Sequence, residues 1–197
     1  IFPSKTMAAY GFTTQYEKFA GIDPLEIWIR EAHKRGIKVH TWFETFYAGN
    51  QSPNDNPNSI LAKNPSWGNK TKKDYASTLP SKSTSEHNGY FLDPANPYVQ
   101  DFIAKLTEEI ITRYKPDGIN LDYIRYPNTV GTNEMSSWGY TEYARNDFKN
   151  IFGVDPIDLV KSDPLWLEWN NYRREKVTNM VKKIGDQGRR TNTYISA

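Results

Sequence analysis

Residues 117–126 read Asp-Gly-Ile-Asn-Leu-Asp-Tyr-Ile-Arg-Tyr, and no other stretch limits the possible folds as much. Side chains on a strand alternate faces, so Ile119, Leu121 and Tyr123 share one side and Asn120 and Asp122 the other. The apolar set is what a sheet presents to covering helices, and the polar set then faces away from them. A helix pattern precedes the strand. Asn96-Pro97 opens it, Phe102, Ile103, Leu106, Ile110 and Tyr114 recur on one face, and Lys115-Pro116 stops it. A helix that delivers the chain into such a strand is one step of a parallel sheet.

The same step recurs on both sides. Asp23-Pro24-Leu25-Glu26 combines an N-cap, Pro at the first helical position and Glu at the third. Leu25, Trp28, Ile29 and Ala32 follow on one face, Gly36 marks the stop, and residues 37–44 (IKVHTWFE) are strand-like. Downstream, residues 127–139 form an irregular excursion and residues 141–152 a helix closed by Gly153. Asp155-Pro156 and Asp163-Pro164 are further helix starts. The second leads into a long helix through Trp169, Tyr172, Val177, Met180, Val181 and Ile184, with Gly188 expected past its end. Residues 193–197 begin another strand. Residues 47–92 are a long polar stretch with a short helix expected at 60–67; such stretches inside a compact domain are usually functional or disordered.

Parallel sheets either close into a barrel or stay open and doubly wound. No Gly-rich phosphate loop follows a strand here, which disfavours a nucleotide-binding open sheet. The expectation is an α/β fold, a (β/α)8 TIM-type barrel. A whole barrel needs about 250 residues. Three strands fit in these 197 residues, so they read as the central portion of one barrel domain. The chain opens on Ile-Phe-Pro-Ser and stops on Tyr-Ile-Ser-Ala as a strand begins, which suggests a piece trimmed at both ends.

Charge and composition narrow the function. The net charge is +2, with 25 Lys+Arg interspersed among 23 Asp+Glu, so there is no electrostatic footprint for nucleic acid. There are no cysteines, hence no disulfide or thiolate metal site. No apolar run is long enough to span a bilayer, and no cofactor motif is visible. His33, His40 and His87 do not form a metal-ligand pattern. Tyr and Trp number 13 and 6; their flat faces and polar tips suit sugar rings as well as ordinary packing.

Asp122 falls near the C-terminal end of its strand, where barrel active sites lie. A carboxylate pointing into a barrel is costly unless paired or used, and the structural alternative is a buried pair with Arg125. In the earlier strand, His40, Trp42 and Glu44 share a face, which puts Glu44 at the mouth beside Asp122. Two carboxylates on adjacent strand ends match the layout of glycoside hydrolysis, one protonating the leaving oxygen and the other attacking or activating water. Asn120 faces the same way. Arg125 and Tyr126 follow at the strand exit and are candidates for binding substrate hydroxyls. Trp42 is a candidate stacking platform, as are Trp67 and Trp138 in the loops. His40 sits deeper, where a satisfied core histidine is expected ahead of a general base, and with Asn120 it joins the candidates for binding substrate. Asp93 in Leu-Asp-Pro-Ala reads as a cap or turn residue, and Glu86 carries no spacing signal.

Several segments resemble the bacterial glycosyl-hydrolase-10-like family, which includes envelope lipoproteins. They are Asp23-Pro24-Leu25, Glu31-Ala32-His33-Lys34-Arg35-Gly36-Ile37, Val39-His40-Thr41-Trp42-Phe43, Leu92-Asp93-Pro94 and, most specific, the run from Asp117 to Pro127. The resemblance implies a (β/α)8 barrel acting on glycosidic bonds of a polysaccharide, in some relatives the glycan strands of peptidoglycan. It implies that the third, fourth and fifth strands are present. It also implies a place in the cell envelope or outside the cell, with any signal or lipoprotein segment outside this stretch. Asp122 matches the family motif directly. The family usually reads Asn-Pro after the strand carrying Trp42, whereas here Glu44-Thr45 follows Phe43, so Glu44 rests on geometry alone.

The leading expectation is a glycoside hydrolase using carboxylate chemistry on a polysaccharide or oligosaccharide. A rival is a carbohydrate-binding barrel without catalysis. A polysaccharide deacetylase would need His and Asp at metal-ligand spacing, which the sequence does not display.

Overall fold

A computed structural model describes residues 2–131 and 133–197; Thr132, in the expected excursion, lies outside the described residues. Three parallel strands form the central sheet: β1 (His40–Glu44), β4 (Gly118–Asp122) and β5 (Tyr194–Ser196), side by side in chain order. Two short strands, β2 (Tyr47–Gly49) and β3 (Tyr90–Phe91), make a separate antiparallel pair. The sequence places the three main strands correctly, with shorter ordered ends.

The helices form where capping chemistry favours them. Asp23 accepts from the Glu26 N–H and opens α2 (Pro24–His33), which follows a short α1 (Lys5–Ala9). After α3 (Ile60–Lys63), Asn96 caps α4 (Pro97–Glu109), which ends in a wider turn, Ile110–Tyr114. Thr141 caps α5 (Glu142–Phe152), and Gly153 closes it in the left-handed conformation. The long α6 runs Trp166–Thr191 and ends at Asn192, so Gly188 lies within it rather than past it. A Cβ at Gly188 would fall 2.5 Å from Ile195 and 2.6 Å from the Thr193 carbonyl, so this glycine lets β5 fold back against the helix.

All the helix packing that builds the core lies on one face of the sheet. Ile119 and Leu121 are buried there against Phe102 and Ile103 of α4 and Met180 and Ile184 of α6, with Phe43 and Ile195 beside them. A buried bond from Thr107 to Gln187 (2.7 Å) and another from Gln187 to the Ala104 carbonyl (2.8 Å) tie α4 to α6. Residues 47–92 are ordered: Phe46, Leu61, Trp67, Phe91 and Leu92 join the same core. A second core gathers Tyr140, Phe148, Leu159, Trp169 and Tyr172 between α5 and the first turns of α6. Four fully buried apolar side chains of this kind each contribute roughly 1.5–3 kcal/mol of transfer free energy.

Among the described residues, no helix covers the other face of the sheet. Alternation from half-buried Thr41 and Phe43 and buried Ile119 and Leu121 sends His40, Trp42, Glu44, Asn120 and Asp122 the opposite way, and Trp42 is 73% exposed.

Candidate active site

The strand register brings the two expected carboxylates together. Glu44 pairs with Asp122 across β1 and β4, and Trp42 pairs with Asn120 one step below. Adjacent strands lie about 4.8 Å apart, so paired residues on one face are direct neighbours. Both acids stand at the C-terminal ends of their strands.

Asp122 is held at both oxygens. The Trp42 indole N–H donates to Oδ2 at 3.0 Å, and the Tyr123 backbone N–H donates to Oδ1 at 2.7 Å. That second bond depends on Tyr123 adopting φ of 49°, a left-handed conformation uncommon for a bulky residue. Its cost is of order 1–3 kcal/mol, and the surroundings hold it in place. The Tyr123 ring stacks on Tyr47 at 5.0 Å and meets Phe91 edge-on at 5.7 Å. Its carbonyl accepts from the Phe46 N–H. Thus the turn that ends β4 folds a backbone donor onto the carboxylate that precedes it. Hydrogen bonds at both oxygens fix the orientation of the Asp122 carboxyl. Glu44 is exposed, and its charge raises the pKa of the nearby Tyr47 phenol after burial, the larger cause.

The other expected residues separate. Asn120 shares the face and donates to Ser196 Oγ at 3.1 Å, linking β4 to β5. His40 shares it too, but at the N-terminal end of the strand, four residues from Glu44. It is exposed, with its ring 5.7 Å from Tyr194, and is not the core histidine expected. The alternation that puts Trp42 outside puts His40 outside as well. Arg125 does not pair with Asp122; it reaches Glu86 at 2.6 Å and lies over the Tyr123 ring at 5.3 Å. The Tyr126 hydroxyl is buried and without a hydrogen-bond partner, and burial pushes it well above its ordinary pKa. Trp67 and Trp138 are buried and so are not platforms: Trp67 packs on Tyr10, Phe12 and Phe102, and the Trp138 indole donates to the Asn128 carbonyl.

Asp93 takes the structural role its Asp-Pro context suggests. It is fully buried, accepts from the Ala95 N–H at 3.0 Å and from Thr141 Oγ1 at 2.6 Å, and burial raises its pKa to about 6. Glu86 is the residue sequence reasoning passed over. Its partners, Arg125 and the Asn128 N–H, lie 39 and 42 residues on, a separation no local pattern encodes. Among the described residues, no group of three or more His, Asp or Glu is arranged to hold a metal ion.

Comparisons with known proteins agree with this architecture. Glycosyl hydrolase DigH of Escherichia coli K12 is 33% identical over 123 residues, covering 62% of this chain and 27% of DigH. Glycosyl hydrolase YngK of Bacillus subtilis 168 is 27% identical over 195 residues, covering 95% of this chain and 32% of YngK. The chain therefore spans about a third or less of these relatives. Among solved structures, alpha-L-fucosidase isoenzyme 2 from Paenibacillus thiaminolyticus superposes over 94% of this chain and 23% of its own, with a TM-score of 0.57 at 18% identity, a likeness of fold. The family described as glycosyl hydrolase-like 10 matches residues 1–194, and the chain belongs to that family.

Proposed function

We propose that this chain is the central wall of a (β/α)8 barrel and carries the carboxylates of a glycoside hydrolase acting on an envelope or extracellular polysaccharide. The observation that carries this reading is the pairing of Glu44 with Asp122 at the C-terminal ends of neighbouring parallel strands, on the face no helix covers. Barrel strands follow one another in chain order with helices on one side only, as here, whereas an open doubly wound sheet has helices on both. Family membership and the names of DigH and YngK support the reaction class.

In this reading Asp122, fixed by Trp42 and Tyr123, attacks or stabilises the anomeric carbon. Glu44, one methylene longer and free to swing, delivers the proton to the leaving oxygen. Cross-strand neighbours suit the roughly 5–9.5 Å separation that carboxyl pairs use in glycoside hydrolysis. Trp42 then has two duties: its N–H orients Asp122 and its exposed face receives a sugar ring. The test is cleavage of a glycan panel, peptidoglycan strands included, by the intact protein and its Asp122→Asn variant. The variant should fold normally and cut nothing. Retained cleavage ends the assignment, and tight binding without cleavage by the unaltered protein favours the carbohydrate-binding barrel instead.

A further inference from the structure

Just beyond Asp122 the chain lines a second feature. Arg125 and Tyr126 from the exit of β4, with Asn170, Arg173, Arg174, Val177 and Thr178 from α6, surround a cavity of about 440 Å³. It lies at the catalytic end of the sheet, because the first half of α6 packs against the segments that follow β4. Arg173 Nη1 donates to the Trp138 carbonyl at 2.5 Å, and a Cβ at Gly139 would fall 2.8 Å from Arg173 and 3.2 Å from the Tyr126 ring.

The charge there does not balance. Three guanidiniums line the cavity, and among the described residues Glu86, bound to Arg125, is the one acid paired with any of them. Arg173 is held by neutral partners, the Trp138 carbonyl and Asn170 Oδ1 (2.5 Å), and its face lies over the Trp169 ring at 5.2 Å. Its Nε is buried and unpaired, as is the neighbouring Tyr126 hydroxyl. Arg174 reaches only the side chain of Asn171. Its positive charge and burial both pull the Arg173 pKa below its ordinary value, burial more. A guanidinium taken out of water beside a second one is costly unless an anion completes it.

We infer that this cavity is a subsite for a carboxylate carried on a sugar next to the one cleaved, with Arg173 and Arg174 as its ligands. The inference rests on the glycosidase reading for the position of the cleaved sugar, and on the arginines for the charge. The planar fork of Arg matches a carboxylate at two points, and Asn170 and Thr178 are suited to adjoining hydroxyls. Arg125, already paired with Glu86, lines the same cavity from the exit of β4.

The experiment measures binding, so that it does not depend on turnover. Intact protein carrying Asp122→Asn is titrated with peptide-free peptidoglycan strands and with a hexuronate oligosaccharide, each beside its carboxyl-reduced counterpart. At least one acidic form should bind about tenfold tighter than its reduced form. The preference should shrink as salt rises and vanish in Arg174→Gln, whose exposed side chain leaves the fold alone. Arg173→Gln should abolish it as well, and Arg173→Lys should restore part of it. Equal affinity for acidic and reduced forms, no binding of either acidic glycan, or a preference untouched by Arg174→Gln each overturns the subsite. If the preference appears but the unaltered protein cleaves nothing, the subsite stands and the hydrolase reading fails.

Discussion

The bare face of the sheet and the buried region beneath α5 both hold carboxylates, by opposite means. Asp93 is sealed away, and two donors only partly offset the cost of hiding it, so its pKa rises to about 6. Asp122 also has two donors, yet it stands half-buried beside an exposed Trp42 and an exposed Glu44. Strongly shifted acids often mark active sites, but a reacting group must also be reachable. By shift alone Asp93 would be selected; by reach and neighbourhood, Asp122 is. The contrast separates a carboxyl that organises the fold from one that the fold presents.

Glu44→Gln breaks the comparison on the exposed side with the largest expected effect. Losing an acid/base partner costs about 10²–10⁴ in rate. Glu44 is exposed and buries nothing, so the melting temperature should hardly move. Glycan cleavage by this variant within a few-fold of the unaltered protein would remove Glu44 from the reaction.

The buried side responds to pH. Because the folded-state pKa of Asp93 is raised from 3.8 to about 6, the native protein binds a proton more tightly than the unfolded chain. Its stability therefore falls as pH rises from about 4 to about 6, by on the order of 3 kcal/mol from this group, and is level above that. Asp101, Glu109, Asp117, Asp147 and Asp155 have lowered pKa values and act with the opposite sign at lower pH, so the windows separate. Urea unfolding at pH 4.5 and 7 reads this directly, and Asp93→Asn should flatten the difference. Asp93→Ala, which strands the Thr141 hydroxyl and the Ala95 N–H, should destabilise the protein by about 2 kcal/mol more at pH 4.5 than at pH 7, because the contribution it removes is present only at the lower pH. Neither change should alter the Asp122 chemistry.

Much of this is written in local pattern. Alternation in residues 117–126 and 37–44 predicts which side chains leave the core, and the Asp-Pro and Asn-Pro starts locate the helices. The Glu44–Asp122 neighbourhood follows because parallel strands joined by one crossover align their ends. The Glu86–Arg125 pair is not legible, since its partners are brought together by tertiary folding of the polar stretch. The same folding buries Trp67 and Trp138, whose loop positions suggest exposure. His40 fails for a different reason: a face read as a barrel interior is bare in this chain, and the histidine is exposed with it. Arg173 was passed over, although its position carries a signal. It follows Trp169 by four residues and precedes Val177 by four, a cation in the phase of an apolar stripe.

Trp42→Phe probes the finest distinction on the exposed face, because it separates the two duties proposed for that residue. Phenylalanine keeps a flat ring for a sugar but has no N–H for Asp122 Oδ2. The remaining donor, the Tyr123 N–H, still holds Oδ1, so the carboxylate is loosened rather than released. A hydrogen bond to a charged group is worth about 1.5–3 kcal/mol when buried, and at this half-exposed site the lower end applies, which is about tenfold in rate. The fall should appear in kcat with KM nearly constant. Trp42→Ala removes the platform too and should raise KM as well. If Trp42→Phe changes KM alone, the indole N–H does nothing for the reaction and Trp42 is a platform only.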